Sequence, residues 1–158
     1  MLVKEVMNRN VIVLKPDMDL RTAARILAEN KITGAPVVDE NGKLIGILTL
    51  KDILKAIEIR MESLGFYLMP TPFDYMEFFD FEIPHEEKRD VFADLSSILV
   101  RDVMEKRVHY VYEDDDIEDA IHLLAKKEVS RLPVVDKNGK VIGIVSRADI
   151  ISALARFK

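Results

Sequence analysis

A chain of 158 residues that is 49% hydrophobic and 32% charged, with 6 Gly and 6 Pro, holds enough apolar material for one core or two small ones side by side. That excludes a disordered or collagen-like chain. Its 23 basic residues against 28 acidic ones, a net −5, argue against a generic nucleic-acid binder, whose affinity rests on neutralising phosphates. The absence of Cys removes disulfides, thiolate metal ligands and thiol nucleophiles together, and no run is apolar enough to span a bilayer or form a signal-peptide core. A cytoplasmic protein without membrane contact is therefore expected.

An internal repeat organises the chain. Residues 3–56 and 100–153 align without a gap at an offset of 97, with 22 identities in 54 positions. In chain order, each copy opens on Val-Met (Val6-Met7; Val103-Met104) and continues into a β-rich run, Val11 to Leu14 or Val108 to Tyr112. A carboxylate follows where a helix N-cap belongs, Asp19 or Asp116, and then apolar residues at helical spacing: Leu20, Ala23, Ala24 and Leu27, or Ile117, Ala120, Ile121 and Leu124. Two apolar runs come next, Pro36 to Val38 and Leu44 to Leu48 in the first copy, separated by Asn41-Gly42, the two-residue signal for a tight hairpin; Asn138-Gly139 repeats it. A second helix is expected after Thr49 or Ser146. The order β, α, β, β, α thus occurs twice, an α+β fold. A unit of this size buries too little surface to stand alone, so the copies are expected to pack sheet to sheet about a pseudo-twofold axis, with a cleft between them.

The boundaries predicted are 1–60 for the first repeat, 61–99 for an insert and 100–158 for the second repeat. Residues 57–99 hold ten acidic residues against three basic ones and eight of the eleven aromatics, which is too aromatic for a disordered linker. A helix running past Ala56, a Pro-broken loop around Pro70 and Pro72, and a short helix near Glu86 to Leu95 are expected there, covering an edge of the core or serving as a lid or docking surface. Asp74, Glu77, Asp80 and Glu82 lack calcium-loop spacing and read as solvated charge. His109, His122 and His85 have no companion at metal-ligand spacing, so no metal is expected.

The chemistry concentrates at Thr49-Leu50-Lys51-Asp52 and Ser146-Arg147-Ala148-Asp149, each between an apolar strand and a helix. A hydroxyl followed three residues later by a carboxylate has the form of a capping box, and either tetrapeptide alone reads as a cap. Together with the tandem arrangement, the P-V-V-D strands, the N-G hairpins and the Val-Met starts, they resemble a pair of CBS domains, the regulatory module named after cystathionine β-synthase, over about 110 of the 158 residues. The resemblance implies that Asp52 and Asp149 bond the ribose hydroxyls of an adenosine ligand, with Thr49 and Ser146 on ribose or phosphate. An ionised carboxylate suits a vicinal diol because it accepts two hydrogen bonds. The stretches before Pro36 and Pro133, with Ala35 in one and Arg131 and Leu132 in the other, are implied to read the adenine edge, their extended backbone leaving groups free for a base. Arg131 matches the phosphate-contacting basic residue, and Lys51 and Arg147 stand beside the carboxylates; the first copy has Gly34 in place of Arg131. Val13 and Tyr110 depart from the Thr common in the family, and Tyr110 either stacks on a base or fills the second cleft.

With no nucleophile and base pair, no Gly-rich phosphate loop and no cofactor motif, catalysis is not expected. The reading is a sensor of AMP, ADP or ATP that acts on an unknown protein target in trans and forms a homodimer through the helices after Asp52 and Asp149. The alternatives are an S-adenosylmethionine sensor and a ligand-free dimerisation scaffold.

Overall fold

The computed structural model describes residues 1–63, 94–127 and 129–156. It is a mixed α+β fold with two sheets: α1 (Leu20–Glu29), β1 (Gly34–Val38), β2 (Leu44–Thr49) and α2 (Leu50–Ser63), followed after the insert by α3 (Val100–Val103), β3 (Val111–Tyr112), α4 (Ile117–Lys126), β4 (Arg131–Val135), β5 (Val141–Ser146) and α5 (Arg147–Arg156). Strands β1 and β2 form a two-stranded sheet, and β3, β4 and β5 a three-stranded one with β4 in the centre. The first β-rich run contributes a single parallel bridge, Leu14 to Val37, rather than a strand. Helix α2 does run past Ala56, to Ser63. The helix expected near Glu86, the carboxylates at 74–82 and His85 lie outside the described residues.

Local chemistry explains the element ends. Asp19 caps α1, its two carboxylate oxygens accepting from the Thr22 N–H at 2.8 Å and the Thr22 hydroxyl at 2.9 Å. The helix ends without glycine. Ile32 N–H bonds back to Leu27 C=O and Lys31 N–H to Ala28 C=O, with Lys31 itself at φ 53, so one left-handed residue closes two terminal carbonyls. Both hairpins form, but not as two-residue Asn-Gly turns. Gly42 N–H bonds to Asp39 C=O, so the turn centres on Glu40 and Asn41, and Gly42 alone takes the positive φ of 80°; Gly139 repeats this at 83°. Asp39 and Asp136 set this geometry by accepting at Oδ1 from two loop N–H groups each, those of Asn41 and Lys43 and those of Asn138 and Lys140.

The Asp19 bonds hold its carboxyl below the ordinary 3.8, the Thr22 N–H being the largest cause. A depressed native pKa contributes stability that is present above the unfolded value and lost as pH falls through the folded one. Asp19→Asn is therefore expected to flatten the acid limb of a melting temperature against pH curve. Asp116, whose side chain makes no cap bond, is expected to change it less when replaced by Asn.

The chain divides into two compact units, one of Met1–Pro16, Ala35–Ile47 and Glu105–Lys158, the other of Asp17–Gly34 and Leu48–Met104. They do not follow the repeats, because each copy's opening segment bonds to the other copy. In the first unit, Leu2 bridges Asp116 and Asn8 bridges Ile144. In the second, Asp19 bridges Leu99, which is the Leu2–Asp116 bridge with the copies exchanged. The core of the first unit gathers Val3, Met7, Val111, Ile117, Ala120, Leu124, Leu132, Val134, Val145 and Ile150.

Candidate functional site

Strand alternation sorts the second repeat's residues by face. Val111, Leu132, Val134 and Val145 point into the core cluster. Successive side chains alternate and partners across a ladder share a face. The registers Tyr112 with Val135, Pro133 with Ile144 and Arg131 with Ser146 therefore place Tyr112, Arg131, Pro133 and Ser146 on the opposite face, with Tyr110 two residues from Tyr112 on the same side. Arg131 and Ser146 are direct partners, which sets their Cβ atoms about 5 Å apart. Pro133 is tolerated in a central strand because the β3 ladder begins only at Val134, so its missing N–H costs no bond there.

Asp149 stands at the third position of α5 and is half-buried. Its Oδ2 accepts from the Ser146 N–H at 2.8 Å, and its own N–H donates to Ser146 Oγ at 3.2 Å. The capping box is thus real. It occupies one carboxylate oxygen only, and Oδ1 accepts no hydrogen bond among the described residues. Thr49 and Asp52 repeat the pattern at the head of α2, with the Thr49 N–H and hydroxyl at 2.9 and 3.0 Å from Asp52 Oδ2. Capping and binding a diol therefore do not compete for the same atom.

Arg131 is half-buried, and lost solvation pushes its guanidinium below its ordinary pKa. Its Nη2 lies 3.4 Å from Ser130 Oγ. Tyr110 keeps 44% of its surface exposed and meets Tyr112 edge to face, ring centres 5.7 Å apart at 84°, so its ring does not fill a closed cavity. A hydrogen bond with Tyr110 is the largest cause holding the Tyr112 phenol above its usual pKa.

Other expected residues are placed differently. Arg147 Nη2 donates to the Leu124 carbonyl at 3.1 Å, capping the C-terminal end of α4. The backbone before the prolines is also engaged: Thr33 C=O accepts from Leu50 N–H at 2.9 Å and Ser130 C=O from Arg147 N–H at 3.2 Å. The first N–H of each following helix needs an acceptor, and these carbonyls supply it. Ala35 and Pro36 are buried in β1, Leu132 and Pro133 in β4; Val13 is half-buried and Lys51 exposed. Tyr112 was missed by the sequence reading, although two tyrosines spaced by two in a β-rich run signal a shared face. No group of three or more His, Asp or Glu side chains able to hold a metal occurs among the described residues. Nor is any helix there long and apolar enough to cross a membrane.

The CBS domain matches this sequence twice, at residues 3–59 and 100–156. The chain belongs to the CBS-domain family. The protein MJ1426 of Methanocaldococcus jannaschii is 39% identical to it, over 98% of this chain and 91% of MJ1426. CBSX2 of Arabidopsis thaliana is 31% identical, the match covering 95% of this chain and 61% of that longer protein. CBSX2 has been solved in complex with AMP, and this CBS pair superposes on that structure with a TM-score of 0.70 at 28% identity, covering 98% of this chain and 96% of the other. The CBS domain pair of MJ0100, solved with 5′-methylthioadenosine and S-adenosyl-L-methionine, gives a TM-score of 0.70 at 25% identity, with coverage of 98% and 96%.

Proposed function

We propose that this CBS pair is a non-catalytic regulatory module that binds an adenine nucleotide on its second repeat. Asp149 would take the ribose hydroxyls, Ser146 the ribose or phosphate, Arg131 the phosphate and Tyr110 the base. The observation that carries this is the half-used Asp149 carboxylate at the head of α5, one oxygen fixed by Ser146 and the other uncommitted among the described residues, with Ser146 paired to Arg131 across the β4–β5 ladder. CBSX2 with AMP and MJ0100 with S-adenosyl-L-methionine have the adenosine part in common. Arg131 favours the nucleotide, because S-adenosylmethionine brings a sulfonium cation where AMP brings an anion. Arg147 is left out of the phosphate set, its guanidinium being held by α4. Asp52 and Thr49, with Lys51 beside them, would play the corresponding part in the first repeat, weaker for phosphate because Gly34 stands where the second repeat has Arg131.

Calorimetry and thermal shift with AMP, ADP, ATP, S-adenosylmethionine and adenosine test the reading. Nucleotides are expected to raise the melting temperature more than S-adenosylmethionine does, since a ligand of the native state alone stabilises it. If none of the five binds, the scaffold reading takes its place. Asp149→Asn keeps the shape but turns a charge-assisted bond into a neutral one of roughly half the strength, and so is expected to weaken AMP by about 1 kcal/mol. Unchanged affinity with only a slightly lower melting temperature would leave Asp149 as a cap alone.

Pairing into a homodimer is proposed through the second helices. Ile151 and Leu154 on α5 are 65% and 51% exposed, and Leu54 and Ile59 on α2 are 65% and 57% exposed. Phe157, expected to join this surface, lies outside the described residues. A monomer in sedimentation at micromolar concentration would refute the pairing.

A further inference from the structure

Residues 1–8 form part of the second repeat's core. Val3 is fully buried and Met7 is 9% exposed, and both belong to the cluster of Val111, Leu132, Val145 and Ile150. Backbone bonds pin the segment at both ends. Ile117 N–H donates to Met1 C=O at 2.9 Å and Val3 N–H to Asp115 C=O at 2.8 Å, while Asn8 and Ile144 exchange N–H and C=O at 2.8 and 3.0 Å. Gly143 makes room beneath: a Cβ there would stand 2.7 Å from Met7 Sδ and 3.1 Å from the Asn8 carbonyl. Strand β5 is thus held on one edge by β4 and on the other by Asn8, which pairs with Ile144 two residues before Ser146.

We infer that Met1–Asn8 is a coupling arm: a ligand held by Arg131, Ser146 and Asp149 binds the arm-docked state more tightly than the undocked one. This rests on the adenosine-ligand reading above. With the arm away, Ile144 loses both its outer bonds, β5 becomes an edge strand, and Val3 and Met7 leave a gap under the β5–α5 junction that carries Ser146 and Asp149. The ligand needs that junction fixed, so the two events stabilise each other, and linkage makes the effect reciprocal. Anything that draws residues 1–8 off the repeat lowers ligand affinity, and ligand in turn restrains the arm.

Hydrogen exchange of the intact protein, under mild conditions where amides open locally, tests this with AMP as the probe. AMP is expected to slow the Val3 and Asn8 amides by about fivefold or more, the lower end of common coupling. Val3→Asp puts a charge at a fully buried position and releases the arm. It is expected to weaken AMP by about fivefold or more at unchanged stoichiometry. Gly143→Ala, which crowds Met7 and the Asn8 carbonyl, is expected to act in the same direction and replaces Val3→Asp if that variant does not fold. AMP binding that leaves the Val3 and Asn8 amides unchanged overturns the coupling while the ligand reading stands. Failure of both AMP and S-adenosylmethionine to bind the unaltered protein overturns both.

Discussion

Leu132→Ala is expected to lower the unfolding free energy by about 2 to 5 kcal/mol, toward the upper end of that range. Leu132 has no exposed surface and lies in the middle of β4, the central strand, where it meets Val145 across the ladder. Its neighbours in the core come from β3, β5, α4, α5 and the Met1–Asn8 segment. A strand bonded on both sides cannot sink to fill the space, so the cavity persists and its cost adds to the lost burial. The first repeat has fully buried Ala35 at the matching position, so the two copies fill their cores differently although their backbones follow one pattern. Urea unfolding checks the value. Lys137→Ala, at an exposed position in the second hairpin loop, is expected to stay within about 0.5 kcal/mol of the parent. A loss below about 1 kcal/mol for Leu132→Ala would mean that the site relaxes and that the core is not built as described.

What could be read from the sequence was set by chemistry close in the chain. Asp19 four residues before Ala23 announces its helix because the cap acts on the first turn, and Thr49 with Asp52 announces a capping box because its two bonds span three residues. The hairpins were placed by Asn-Gly, yet their turn type was not, because Asp39 and Asp136 hold the loop from outside the two-residue window. The partner of Arg147 was beyond reach: the Leu124 carbonyl lies on the preceding helix, and only the packed fold shows that this helix end needs a donor. The same limit hid the exchange of opening segments. Nothing in Met1–Asn8 names Asp116 or Ile144 as a partner, since backbone pairing carries no residue code. Of the candidate site, the carboxylate and hydroxyl pairs were legible as motifs. That Tyr110, Tyr112, Arg131 and Ser146 share one face followed only from the strand registers.

Arg131→Ala is expected to weaken AMP by about 1.5 to 3 kcal/mol, the range for a hydrogen bond to a charged group, or roughly 10- to 150-fold. The expectation rests on position and solvation together. The guanidinium leaves β4 opposite Ser146, on the face opposite Leu132 and Val134, and lost solvation lowers its pKa. A phosphate placed there can accept two parallel N–H bonds from the planar guanidinium. Adenosine has no phosphate and is expected to bind the variant within about twofold of the parent. Arg131→Lys keeps the charge but not the fork, and an intermediate loss for AMP is expected from it. The first repeat, with Gly34 at this place, has no such group to lose, so any weak second binding phase should be unaffected by Arg131→Ala. Equal losses for AMP and adenosine would instead show that Arg131 serves through the packing of its stem on β4, and the phosphate would then have to be held by other residues.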